Sequence, residues 1–344
     1  MTLNSSLPSM PEVSSPSERL PPMDLNQIRD LIADDMKAVD ACILELLSSP
    51  VVLINQLGHY IISGGGKRLR PMMVLLSAGA CGYQGRHHIE LAAVIEFIHT
   101  ATLLHDDVVD ASELRRGRET ANALFGNEAS VLVGDYLYSR SFERLVAIGN
   151  MRAMQILSHT TSTIAEGEVM QLINCHDADT TEARYMHVIQ SKTAKLFDAA
   201  SRLGPVLAEL PDPAEASLAA YGMHLGTAFQ LIDDVMDYSS SSEEMGKNMG
   251  DDLAEGKPTL PLIHAMRVGN AEDAAVIREA IEQGGREHAD RVLKVIQSTG
   301  SIDYTRQVAE AEARRAVESL SVLPPSPHRD AMAALAHFSV GRVF

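Results

Sequence analysis

Tryptophan is absent from the 344 residues, and aromatic residues of all kinds make up only 4% of the chain. That is too few for the aromatic walls that stabilise migrating carbocations in a cyclase. Cysteine is nearly as scarce. Cys42, Cys81 and Cys175 form no CxxC pair and are odd in number, which excludes a disulfide framework and a thiolate zinc site and points to a reducing, cytoplasmic setting. Positive charge is also short, with 29 basic against 46 acidic residues and a formal net charge of −17. So acidic a chain is a poor coat for phosphate backbones, and nucleic acid is not an expected partner. Apolar runs are interrupted well before the roughly 18 residues of a membrane span, and the start lacks the basic-then-apolar order of a signal peptide. Neither a Rossmann nor a Walker glycine fingerprint occurs, nor any alternating β-branched run bounded by turn signals.

What is present is helical periodicity. The first 22 residues hold six serines and five prolines and read as a disordered tail, Met1 to Pro22. From Met23 onward Ala, Leu, Met, Glu and Ile dominate and apolar residues recur at helical spacing, as in Leu25, Ile28, Ile32 and Met36. Similar stretches cover about Ile89 to Asp110, Glu128 to Ile148, Met151 to Ile173, Ala183 to Leu203, Pro213 to Tyr238, Thr259 to Arg267 and Asp303 to Leu320. Pro71 suits a first turn, Gly82 and Gly85 mark a break, and the run from Ser239 to Ser242 closes a helix. The segment from Pro324 to Pro327 reads as a turn before a last helix, Arg329 to Arg342. The expectation is one large all-α domain over residues 23–344, without internal repeats.

The sharpest feature is Asp106-Asp107-Val108-Val109-Asp110. On a helix Asp106 and Asp110 project from one face, and like charges at that spacing repel unless a cation lies between them. One such cluster is equally consistent with a solvated acidic face. A second, Asp233-Asp234-Val235-Met236-Asp237, again ends a helix too apolar to face water, which makes chance surface acidity a poor explanation. Oxygen-only ligands suit a hard cation, and magnesium takes one or two carboxylates and fills its remaining positions with water or phosphate oxygens. The pattern therefore implies a diphosphate substrate. Basic residues gather where such a substrate needs them: Lys67 and Arg70 on a glycine-rich loop running toward a helix, and Arg115 and Arg116 after the first cluster. Lys247 and Lys257 follow the second cluster, and Lys192 and Thr193 lie between the two. Each of these alone reads equally well as a solvated charge.

The segments GGGKRLRP, LLHDDVVDASELRRG, SKTA, FQLIDDVMD and GKNMGDDLAEGKPTLPL occur in this order. Together they resemble the trans-prenyl diphosphate synthases, over nearly everything from residue 25 onward. The resemblance implies a helical bundle of the isoprenoid-synthase type around a central cavity, a homodimer, and stepwise condensation of isopentenyl diphosphate onto an allylic diphosphate such as farnesyl diphosphate. It further implies that Asp106, Asp110 and Asp233 hold Mg²⁺, about two or three ions per site, with Asp107, Asp234 and Asp237 in support. Arg115, Lys192, Thr193, Gln230, Lys247 and Lys257 would contact the allylic diphosphate; Lys67, Arg70, His99 and Arg116 would hold isopentenyl diphosphate. His105 is expected to pack beside the cluster rather than act as a base.

Chain length is read from the residues one turn before Asp106, Ala101 and Thr102, whose small size resembles the long-chain members. Tyr138 and Phe142 are candidates for a tunnel floor, although an ordinary core role explains them more economically. Eight isoprene units, the length of a quinone side chain, is the expected product, with nine (solanesyl) as the alternative. The C-terminus, ending at Arg342-Val343-Phe344, departs from the basic tail of short-chain members. Competing readings are an HD-type phosphohydrolase, which would need further ligand histidines, and a terpene cyclase, which the aromatic shortage opposes. A non-catalytic subunit of a heteromeric synthase would be expected to lose acidic motifs, and both are kept.

Overall fold

In the computed structural model, which describes residues 23–115, 117–239 and 250–341, the apolar spacing resolves into helices nearly throughout. The expected tail, Arg116, Ser240 to Ser242, Lys247 and Arg342 lie outside the described residues. The helices are α1 Leu25–Leu31, α2 Ala33–Leu47, α3 Val52–Ser63, α4 Leu69–Ala80, α5 His87–Val109, α6 Ala121–Phe125, α7 Asn127–Ile148, α8 Met151–Asn174, α9 Glu182–Ile189, α10 Lys195–Leu207 and α11 Asp212–Ser239. They continue as α12 Asp251–Ala254, α13 Leu260–Val268, α14 Ala271–Gln283, α15 Ala289–Ser298, α16 Ser301–Ser319 and α17 Pro327–Val340.

Local signals set the boundaries. Asp24 and Gln27 close a capping box on α1, Asn150 caps α8 through the Ala153 amide, and Ser326 with Pro327 starts α17. Two departures from the sequence reading fall beside the acidic residues. The stretch expected as a single helix from Ala183 to Leu203 is interrupted by a π-helical turn, Gln190–Ala194, which inserts Lys192 and Thr193 between α9 and α10. A two-residue antiparallel ladder, β1 Leu114–Arg115 and β2 Arg118–Glu119, follows the first cluster and is too short to leave an alternating pattern.

Helix α5 is apolar all round because it is buried all round: Leu91, Ala92, Ala93, Val94, Ile95, Phe97 and Ile98 have no exposed surface. It packs between α7 and α4; α10 packs on α4 and α11, and α11 runs along α16. Two glycines permit the closest of these approaches. A Cβ on Gly204 would lie 2.1 Å from Ser77 Oγ, and one on Gly222 would lie 2.3 Å from the Phe197 carbonyl oxygen. A second, smaller core joins α13, α14 and α15 through Leu262, Ile277, Ile281, Val292 and Ile296. Tyr238 and Leu253 belong to it as well, so it holds the end of α11 next to α12.

Candidate active site

The charged ends of the two apolar helices meet a common space. Helix α5 delivers Asp106 and Asp107, and α11 delivers Asp233, Asp234 and Asp237, to the wall of an open cavity of about 760 Å³; α10 packs against both helices. Lys67, Arg70, His99, Arg115, Lys192, Thr193 and Gln230 line the same cavity. Residues scattered over most of the chain thus converge on one volume. A smaller cavity of about 150 Å³ adjoins it behind Lys192, Thr193, Gln230 and Asp234, and adds Lys257.

Each carboxylate has a defined partner. Asp107 is fully buried; its Oδ1 accepts from Arg115 Nε at 2.9 Å and Nη2 at 2.7 Å, while Oδ2 has no hydrogen-bond partner. Arg115, in β1, lines the cavity with its guanidinium turned to Asp107. Asp106 Oδ2 lies 3.6 Å from Lys192 Nζ, and Glu168 of α8 takes the same ammonium at 2.6 Å. Burial pushes Glu168 up to about 7, with Lys192 opposing and Asp106 reinforcing the shift. For Lys192 burial acts against the charge, yet Asp106 and Glu168 outweigh it and raise its pKa.

On α11, Asp234 accepts a short hydrogen bond from the Tyr185 hydroxyl, and Gln230 Nε2 donates to its other oxygen at 2.8 Å. Thr193 Oγ1 in turn donates to Gln230 Oε1 at 2.9 Å. Burial and the neighbouring Asp252 hold Asp234 well above the carboxylate range. The same two causes push Asp237 up to about 8. Asp110, the C-cap of α5, stands off the main cavity wall with its Oδ2 3.1 Å from Lys257 Nζ. On the far rim Arg70 Nη1 lies 3.1 Å from His99 Nε2 and its guanidinium stacks on Phe197, with Arg70 in the first turn of α4 rather than on the preceding loop.

The chain-length candidates separate. Thr102 lines the cavity, whereas Ala101 is fully buried away from it. Tyr138 and Phe142 pack against the main core and are not among the residues lining this cavity. Tyr138 is taken up by a stacking contact with His105, which packs beside the cluster with Nε2 3.2 Å from the Val131 carbonyl. Sequence reasoning missed Glu168, Asp252 and Tyr185. Asp252 had a visible signal in the paired acids after Gly250; Glu168 and Tyr185 are single polar residues on amphipathic helices and had none.

Among the described residues, no three His, Cys, Asp or Glu side chains form a ready-made metal group. The donor set nevertheless fits a hard cation shared with a substrate. It is all carboxylate oxygen, Asp107 Oδ2 is an unused buried acceptor, and burial with the neighbouring Asp252 already pushes Asp234 and Asp237 toward the protonated form.

The polyprenyl synthetase family pattern matches residues 51–299. The chain is 56% identical to octaprenyl diphosphate synthase of Escherichia coli, over 93% of its own length and 99% of that enzyme. It is 45% identical to an all-trans-nonaprenyl-diphosphate synthase (geranyl-diphosphate specific) of Rhodobacter capsulatus, over 91% and 96% of the two chains. A crystal structure of polyprenyl synthase from Caulobacter crescentus, complexed with calcium and isoprenyl diphosphate, superimposes with a TM-score of 0.90 at 41% identity, covering 94% of this chain and 99% of that one. The two apolar helices that end in DDxxD around one cavity are thus those of an isoprenoid-synthase fold, and the chain belongs to the polyprenyl synthetase family of prenyltransferases.

Proposed function

We propose that the protein is a long-chain all-trans polyprenyl diphosphate synthase that extends farnesyl diphosphate with isopentenyl diphosphate to octaprenyl diphosphate, the precursor of a quinone side chain. The observation that carries this is the convergence of both acidic clusters and the basic residues on one open cavity. The eight-unit length draws support from the 56% identity to the Escherichia coli octaprenyl enzyme. The nine-unit alternative draws on the Rhodobacter capsulatus relative.

Asp106, Asp233 and, on small rearrangement, Asp110 would hold Mg²⁺, which supplies charge neutralisation for the leaving diphosphate. Breaking the allylic C–O bond develops negative charge on that group. Lys192, whose ammonium is already poised against Asp106, and Lys257 in the adjoining cavity stabilise it through positive charge fixed before the reaction begins. Thr193 and Gln230 orient the same group through their mutual hydrogen bond. Lys67, Arg70 and His99 hold the second diphosphate at the other rim, so that its alkene lies against the allylic carbon. Loss of a proton completes each cycle and needs no enzyme base, since the departing diphosphate can accept it.

Exposed Leu132 and Val146 on α7, with Val169, Leu172 and Ile173 on α8, favour a homodimer that covers this apolar face. No helix among the described residues is long and apolar enough to cross a membrane, in keeping with a cytoplasmic enzyme. The test is a product assay with farnesyl diphosphate, labelled isopentenyl diphosphate and Mg²⁺, reading chain length after dephosphorylation. A C40 product lost in Asp106→Ala and Asp233→Ala is expected. A C45 product would move the assignment to the nonaprenyl alternative, and no metal-dependent condensation with several primers would refute it.

A further inference from the structure

Lys257 reaches Asp110 from a turn held in place by a residue that no motif singles out. Helix α8 ends at Asn174, and two residues later His176 adopts the left-handed region with φ 62. From there its backbone N–H donates to the Gly256 carbonyl at 2.8 Å. Its Nδ1 lies 3.0 Å from the Ile281 carbonyl, and because a carbonyl only accepts, that nitrogen carries the proton. The imidazole lies so closely over the turn that a Cβ on Gly256 would come 2.3 Å from Nδ1, and one on Gly284 would come 3.0 Å from Cε1. Both glycines also have positive φ, as the turns around the ring require. A third strut, the Gly285 N–H on the Ala254 carbonyl at 2.9 Å, ties the same turn to the end of α14.

We propose that His176 is a positioning residue for Lys257: its ring and backbone clamp the Glu255–Lys257 turn between the ends of α8 and α14. This sets the Lys257 ammonium beside Asp110, where the leaving diphosphate is bound. The inference rests on the prenyltransferase reading and on Lys257 acting in it. His176 turns the chain out of α8 at positive φ, and its contacts run to the Gly256 turn and to the end of α14. Two of the three bonds end on the Ala254–Gly256 turn, and the third, from Nδ1 to the Ile281 carbonyl, anchors the ring on α14.

His176→Gly separates the two roles, because glycine relieves the backbone strain and retains the N–H donor while removing the ring. The variant is expected to unfold at no lower temperature than the parent. Its kcat/KM for farnesyl diphosphate is expected to fall on the order of 10- to 100-fold, the range that a displacement of about 1 Å produces. Amide exchange in residues 253–259 should accelerate while exchange in α5 stays unchanged. In a Lys257→Ala background the same change should lower kcat/KM no further, since the clamp then has nothing to position. Parental activity in His176→Gly, or multiplicative losses in the double variant, would overturn the proposal alone. An unimpaired Lys257→Ala enzyme would overturn it together with the role of Lys257, and a parent without condensation activity would overturn the functional reading beneath both.

Discussion

Arg115 offers the clearest division between a substrate contact and a structural strut, and Arg115→Ala tests it. Asp107 has 1% of its side chain exposed against 25% for Arg115, so the pair is asymmetric: one charge is sealed in and the other touches water. Removing the guanidinium strips Asp107 of both charge-assisted bonds to Oδ1, and Oδ2 already has none. Breaking a buried pair from the side that leaves the buried charge uncompensated costs about 3–5 kcal/mol. The opposite change, Asp107→Asn, leaves a guanidinium that can turn to solvent, so about 1–2 kcal/mol is expected from the lost hydrogen-bond strength. The double variant should fall short of the sum by about 1–3 kcal/mol, because its two partners touch.

The assay is urea unfolding followed by circular dichroism, at one fixed protein concentration and with a chelator present, so that neither association nor metal binding shifts the midpoint. A loss within 0.5 kcal/mol for Arg115→Ala, as expected for an ordinary surface change, accompanied by a raised KM for the allylic substrate, would refute the strut. It would return Arg115 to the role that the family resemblance implied.

The raised carboxyls predict a pH dependence. Glu168 near 7 and Asp237 near 8 bind protons in the folded state that the unfolded chain, with ordinary values near 4, has released. Their stabilising contribution is therefore complete below about pH 4 and lost as pH rises through 7 and 8, and metal-free thermal midpoints should fall between pH 6 and 8.5. Glu168→Gln with Asp237→Asn should flatten that fall; an unchanged slope would refute the assignment. Gly222→Ala would drive a methyl to 2.3 Å from the Phe197 carbonyl, forcing α10 and α11 apart, and should destabilise by about 1–3 kcal/mol in chemical unfolding. A neutral result would mean that the helices part freely. Tyr185→Phe removes the hydroxyl from Asp234 while keeping the ring, and should lower kcat on the order of tenfold with little change in KM for isopentenyl diphosphate. Full activity would make that bond structural only.

Helix content was legible because apolar periodicity is local: α5, α7, α8 and α11 each fall within one or two residues of the expected bounds. The acidic clusters were legible for a different reason, since carboxylates terminating wholly apolar helices contradict the burial their flanks demand. What stayed hidden depends on partners distant in the chain. The π turn at Lys192 accompanies a close approach of α8, where a Cβ on Gly167 would sit 2.7 Å from the Lys192 amide, a contact that no window of sequence contains. Arg115 reads as a solvated or substrate-facing charge in sequence because its partner, eight residues earlier at the end of α5, lies outside helical spacing. Ala101 and Thr102 were placed by counting turns along a single helix, which gives a face but not what that face meets, and only Thr102 reaches the cavity.

No ready-made three-ligand metal group is present among the described residues, and the carboxyls on α11 are raised by burial and by Asp252. On the proposed reading, Asp106 on α5 and Asp233 on α11 line one cavity from separate helices that both pack on α10, so a cation would have to bridge between them. Bridging that separation needs both the positive charge of an ion and the oxygens of a diphosphate. Until both arrive, Asp234 and Asp237 are held toward the protonated form by burial and by Asp252. Lys192 is paired with Asp106 and Glu168, and Lys257 with Asp110 and Glu255. In the proposed reaction, binding would exchange these internal ion pairs for metal and phosphate contacts. Metal affinity and allylic diphosphate affinity must consequently rise together, each strengthening the other by the same factor. Calorimetric titration of Mg²⁺ with and without a non-hydrolysable allylic diphosphate measures that factor directly, and equal metal affinity in the two titrations would contradict a site completed by its substrate.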